Sequence, residues 1–269
     1  MTDLPGTERR NPKAAGLAKM SALEIVGLMA DEDATVPVAV RAALPDIARA
    51  ADAISAAFSS GGRLRYVGAG TSGRLGVLDA SEAPPTFGVE PDLVHGVIAG
   101  GDAALRTSVE GAEDDRLAGE REIVRVVRPG DVVVGLSASG SARYVVAAMK
   151  AARALGAMTA CVTCVAGSAL ADAVAIPIVV DVGPEILAGS SRLKAGTATK
   201  LVLNMLSTAA MIRSGRTKGD LMIDLRPTNA KLRSRAIRIV RDELGLDEEA
   251  ARTKLEAAGW SVRRAIDPR

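Results

Sequence analysis

Three stretches of this chain set hydroxyl side chains among glycines. The first is Gly68-Ala69-Gly70-Thr71-Ser72-Gly73, which follows an apolar run ending at Val67 and continues toward Asp79, Glu82, Pro84 and Pro85. The second, Val134-Gly135-Leu136-Ser137-Ala138-Ser139-Gly140, repeats the pattern of apolar run, glycine and hydroxyls. The third is Gly189-Ser190-Ser191, followed by Arg192 and Lys194. Glycines let the backbone turn tightly and approach a ligand. A helix that opens at such a turn offers free N–H groups and a positive dipole end to an anion. One phosphate group could collect donors from Gly70, Thr71, Ser72, Ser137, Ser139, Ser190 and Ser191, with Lys194 as the cation. Any one of these serines alone is most simply a helix N-cap. Three such clusters together point to a binding site.

The first loop also satisfies G-x-G-x-x-G, which by itself suggests a dinucleotide. The acids that would then hold a ribose, Glu90 and Asp92, stand before the next apolar run and not at its end. A dinucleotide site also has no need of repeated hydroxyl loops. A phosphate monoester suits the residues better.

Two carboxylates could do acid–base work beside that phosphate. Glu82 follows the first loop, and Glu113 lies in the acidic run from Glu110 to Asp115. A desolvated carboxylate can remove a proton made acidic by a neighbouring carbonyl. A second carboxyl, kept neutral by its surroundings, can protonate a poor leaving group. By residue type alone Glu110 is as good a candidate as Glu113. The single histidine, His95, falls in an apolar run and is expected to be a satisfied structural residue. Cys161 and Cys164 form C-x-x-C, but 158–165 reads as a buried strand. Residues three apart on a strand face opposite sides, so buried thiols are expected and not a redox pair. No His, Cys and Asp spacing suits a metal.

Apolar runs alternate with helical patterns around these loops. Strands are predicted at 63–67, 93–98, 132–136, 158–165 and 176–180, with helices at 144–155 and 195–214. This alternation predicts an α/β fold, a three-layer parallel sheet covered by helices on both faces. Ligands in such folds bind at the carboxyl ends of the strands. Residues 1–20 read as a loose arm. A capping-box pattern, Ser21 with Glu24, opens a helix to Met29, and 36–58 is helical with an interruption at Pro45. From Asp224 on, the chain is charged and rich in arginine, with helices predicted at 231–244, 247–257 and 262–266. The expected organisation is an N-terminal arm with helices (1–54), a phosphate-binding α/β domain (55–218) and a small helical appendage (224–269).

The 269 residues include 48% hydrophobic ones, enough for a sizeable core. Aromatic residues are only 2%, and the net charge is +2, so little speaks for nucleic acid. No apolar stretch is long enough for a membrane span, and residues 1–19 lack a leader's apolar centre. A cytoplasmic protein is the default expectation.

The loops resemble those of the sugar isomerase (SIS) domain, which binds phosphosugars. The stretch from Gly68 through Arg74, Asp79 and Glu82 to Thr86 is similar to the N-acetylmuramic acid 6-phosphate etherase family. So are Glu110 to Asp115, Gly189 to Thr197, the run Asp31-Glu32-Asp33 with Val36-Pro37, and Lys200 to Met205. The resemblance extends from about Leu23 to Asn229, and the family is related to glucokinase regulatory protein. Two features depart from it. Ser141-Ala142-Arg143-Tyr144 replaces an Arg-Thr-Pro-Tyr-like run, and the C-terminal helical region is shorter. The resemblance implies a homodimeric lyase of cell-wall amino sugar recycling that works without metal or organic cofactor. It would release D-lactate from C3 of the sugar by elimination, then add water to leave N-acetylglucosamine 6-phosphate. By the same resemblance Glu82 is the acid and Glu113 the base at C2. A phosphosugar isomerase of the same fold, or a non-catalytic phosphosugar-binding regulator, is the alternative. A regulator would need no carboxylate pair.

Overall fold

The structure, a computed structural model, describes residues 6–267. Three helices come first: α1 (Ala22–Asp33), α2 (Val36–Ala42) and α3 (Leu44–Ser59). The α/β unit follows as β1 (Leu64–Gly68), α4 (Gly70–Phe87), β2 (Val94–Ile98), α5 (Arg116–Val126), β3 (Val132–Leu136), α6 (Arg143–Ala154), β4 (Met158–Thr163), the short α7 (Ala169–Asp172), β5 (Ile176–Val179) and α8 (Lys194–Arg213). Helices α9 (Ala230–Leu244), α10 (Glu248–Ala257) and α11 (Val262–Ile266) end the chain.

The strands form one parallel sheet in the order β2-β1-β3-β4-β5. Of the three inner strands, β1 and β3 are buried along their whole length. That is why β3 reads as a continuous apolar run, and β1 does so apart from Tyr66 and Arg65, whose guanidinium pairs with Asp92. Alternate residues feed two cores. Leu64 and Tyr66 pack with α3, α4 and α8, while Val67 packs with α5 and α6. Cys161 and Cys164 fall in these two different cores, and burial pushes each thiol up to about 12. They are free, buried thiols facing opposite sides of the sheet.

The capping box of α1 forms as its spacing predicts. Ser21 Oγ accepts from Glu24 N at 3.3 Å, and Glu24 Oε2 accepts from Ser21 N at 2.7 Å. The predicted break in 36–58 falls at Ala43, and Pro45 lies in the first turn of α3, where its missing N–H costs nothing. Helix α4 opens directly at the glycine loop. It runs through Pro84 and Pro85 to Phe87 and ends at Gly88, with φ of +64°. A Cβ at Gly88 would stand 2.0 Å from the Asp224 carbonyl oxygen, so glycine alone fits this junction.

The arm expected to be loose is held in place where it is described; residues 1–5 lie outside the described residues. Thr7 O accepts from Gly189 N at 3.1 Å. Asn11 Nδ2 donates to Glu32 Oε2 at 2.8 Å and to Pro184 O at 3.2 Å. At the other end of the chain, Ile237, Val240, Leu255 and Val262 build a separate small core. Arg263 joins it to Asp224 at 2.6 Å, and Arg226 joins Glu90.

Candidate active site

The chain leaves β1 toward β2 on one side, and leaves β3 toward β4 and β5 on the other. The loops after β1 and β3 therefore diverge, and a crevice opens at the carboxyl ends of these neighbouring strands. Gly68 and Leu136 are paired at that edge, so Ala69-Gly70-Thr71-Ser72 and Ser137-Ala138-Ser139 flank the same crevice. A Cβ on Gly68 would lie 2.6 Å from Gly73 N, so the first loop closes tightly onto its strand. Gly70 takes φ of +52°. The third cluster joins from α8. A Cβ on Gly196 would lie 3.8 Å from Thr71 Cγ2 and 3.7 Å from Ser191 O, so the first and third loops adjoin.

The hydroxyls differ in what already occupies them. Those of Thr71, Ser72, Ser190 and Ser191 make no hydrogen bond to another described residue. Ser139 Oγ lies 2.8 Å from Ser141 Oγ and accepts from Ser141 N at 3.3 Å. Ser137 is buried, and its Oγ accepts from Gly140 N at 3.1 Å, so it braces its own loop.

Lys194 departs from expectation. Its side chain is only 4% exposed, and Nζ donates to Glu32 Oε2 at 2.6 Å. Glu185 accepts from the Lys194 and Ala195 backbone N–H groups at 3.0 Å, capping α8. The ammonium therefore ties α8 to α1 and is no free cation for a phosphate. Glu32, bonded also by Lys13 and Asn11, is held down to about 2 chiefly by the Lys194 and Lys13 hydrogen bonds. No local pattern exposes this arrangement, because Glu32 and Lys194 are 162 residues apart.

Glu113 lies in a short 3₁₀ turn, Ala112–Asp114, and lines a cleft of about 230 Å³ with Gly70, Arg74, Glu110 and Val109. It stands beside the amino end of α4, and so does Glu110. Glu82 stands elsewhere. It lies on α4, about 18 Å along the axis from Gly70 at about 1.5 Å per residue. There it lines a groove of about 360 Å³ between α4 and α8 with Asp79, Thr86, Lys200, Asn204 and Ser207. Within one chain the two glutamates do not face one another.

Asp79, unassigned in the sequence reading, is the perturbed acid of that groove. Burial pushes its carboxyl up to about 6, although it accepts from Tyr66 Oη at 2.9 Å and from Ser207 Oγ at 3.2 Å. A tyrosine midway along a buried strand was the available signal, since its hydroxyl requires a partner.

The acids required by a dinucleotide are engaged at the opposite end of the sheet. Asp92 pairs with Arg63 at 2.8 Å and Arg65 at 2.7 Å, and Glu90 pairs with Arg226. His95 is not the satisfied residue expected. Its side chain reaches solvent on the edge strand β2 without a hydrogen-bond partner among the described residues, and partial loss of hydration, followed by the Arg65 charge, lowers its pKa. Among the described residues, no group of three or more His, Cys, Asp or Glu could hold a metal ion. No described helix is long and apolar enough to cross a membrane.

Hydroxyl loops at the carboxyl ends of a five-stranded parallel sheet define the SIS class of domain. The glucokinase regulatory protein N-terminal SIS domain matches residues 46–153, and the SIS domain matches 113–209. Phosphoheptose isomerases share this fold. That of Francisella tularensis superposes with a TM-score of 0.55 at 17% identity, covering 72% of this chain and 100% of its own. That of Neisseria gonorrhoeae gives 0.53 at 20% identity, covering 70% and 98%. Among sequences, the N-acetylmuramic acid 6-phosphate etherase of Symbiobacterium thermophilum is 54% identical, covering 97% of this chain and 87% of its own length. That of Gloeobacter violaceus is 55% identical, covering 97% and 85%. The chain belongs to the N-acetylmuramic acid 6-phosphate etherase family.

Proposed function

We propose that this protein is a carbon–oxygen lyase acting on N-acetylmuramic acid 6-phosphate in cell-wall amino sugar recycling, a cytoplasmic process. The observation that carries the reading is identity above one half to etherases along nearly the whole chain. The crevice supports it, because unoccupied hydroxyls of Thr71, Ser72, Ser190 and Ser191 suit a 6-phosphate. Backbone N–H groups at the start of α4 add to that grip.

In this reading Glu113, beside Gly70, removes the C2 proton of the open-chain sugar, which the C1 carbonyl acidifies. The C3–O bond breaks, a C2–C3 double bond forms, and lactate departs as its oxygen takes a proton from Glu82. Water then adds at C3 and a proton returns to C2, so the net change is hydrolysis of the ether. Glu82 of the same chain is too far along α4 to reach a sugar in this crevice. We therefore assign the acid to Glu82 of the partner subunit in a homodimer. The groove that holds Glu82 supports such an interface, with Leu78 on the same helix 52% exposed.

Incubation with N-acetylmuramic acid 6-phosphate is expected to release D-lactate and N-acetylglucosamine 6-phosphate in equal amounts. Tight binding of the sugar phosphate without any lactate would favour the regulator instead.

A further inference from the structure

We propose that Arg74 binds the lactyl carboxylate of the substrate and so sets the selectivity for the departing group. This rests on the lyase reading above. Arg74 stands one turn beyond Gly70 on the same face of α4 and lines the cleft that holds Glu113. Its Nε donates to the Ala104 carbonyl at 2.9 Å, which fixes the plane of the guanidinium. No described carboxylate lies within ion-pair distance of it. Its terminal nitrogens are free, and it is the cation among the residues lining that cleft.

The chemistry of the substrate calls for such a cation here. Glu113 works at C2 and the lactyl group is carried on C3, so the lactyl carboxylate must come within a few ångströms of the base. Glu110 lines the same cleft. An anion entering between two glutamates is repelled by about 1–4 kcal/mol per charge at 4 Å, depending on how much water remains. A guanidinium held in one plane offsets that repulsion and grips a carboxylate with two parallel N–H bonds. Thr71, by contrast, faces α8 and the Ser191 loop. The two anionic ends of the substrate are thus held by different residues of the first turns of α4, the phosphate toward the Ser191 loop and the carboxylate in the Glu113 cleft. Two anchors at separate points fix one orientation of the C3–O bond.

The test compares the natural acid with its lactyl methyl ester, which keeps the ether and loses the charge. Wild-type enzyme is expected to prefer the acid by about 10²-fold in kcat/KM. Arg74→Gln is expected to shrink that preference to a few-fold, mainly by raising KM for the acid. Affinity for N-acetylglucosamine 6-phosphate, which has no lactyl group, should stay within a few-fold of wild type. If the Gln variant fails to bind that product, Arg74→Lys decides the matter, and it should keep part of the preference for the acid. Equal slowing of acid and ester by either variant would overturn the assignment, because Arg74 would then serve a part common to both. Wild type that releases no lactate from the acid overturns the lyase reading, and this assignment with it.

Discussion

Asp79 shows how a residue's surroundings, and not its type, decide what it does. Its carboxyl is buried against Tyr66 and Ser207, and desolvation outweighs the two hydrogen bonds it accepts. The neutral form is therefore favoured in the folded state. An acid raised from 3.8 to about 6 contributes stability that is complete below about pH 4 and is lost as pH rises through about 6. Asp79→Asn fixes the neutral form. Relative to wild type, the variant should gain up to about 3 kcal/mol in unfolding free energy between about pH 4 and pH 8. A difference that stays flat across that range would show that Asp79 titrates normally.

Glu32 has the opposite sign. Its carboxyl is held down to about 2, so its contribution is present above about 4.5 and is lost as pH falls through about 2. Replacing it with Ala strands the Lys194 ammonium in a buried place. The expected loss is about 3–5 kcal/mol, read from denaturant unfolding at neutral pH. The exposed Lys13 contact to the same carboxylate adds little, so Lys13→Ala should leave the denaturant midpoint nearly unchanged.

At the scale of elements, most of the sheet could be read from the chain. Inner parallel strands are buried on both faces, so their residue choice is nearly uniform, and the ends predicted for β1 and β3 fall within a residue of those observed. The first two hydroxyl loops were legible for the same reason, since each sits where an apolar strand gives way to a glycine-bearing turn. Helix α4 was harder. Prolines are read as helix stops because they lack a donor and crowd the carbonyl one turn back. In the last turn, however, their fixed φ still suits a helix, and Gly88 N closes the end by donating to Pro84 O at 2.9 Å. The continuation through the prolines matters for the chemistry. A helix that continues carries Glu82 along its side toward α8, whereas a stop near Glu82 would leave the carboxylate on a loop. Lys194 was misread because the residue that neutralises it lies on α1, across the chain, and charge pairing at such separation leaves no periodic trace.

For the whole molecule, the distance between Glu82 and Glu113 makes quaternary structure a chemical question. If each site takes one acid from each subunit, mixing inactive Glu82→Gln and Glu113→Gln dimers and letting them exchange should restore about a quarter of wild-type activity. Half of the redistributed dimers are then mixed, and each has one site with both acids intact. If both acids worked from one chain, every site in a mixed dimer would lack an acid and no activity would return.

The segment ahead of α1 bears on the ligand although it lies far from it in sequence. Thr7 grips Gly189, Asn11 grips Pro184 and Glu32, and Glu32 grips Lys194, so the Ser190-Ser191 turn is moored on both sides. A chain begun at Ser21 should keep its far-ultraviolet spectrum while its KM for the sugar phosphate climbs. What looks like packaging at the front of the polypeptide shores up the proposed phosphate site, and a bulky fusion placed there is expected to register as weakened catalysis before it registers as unfolding.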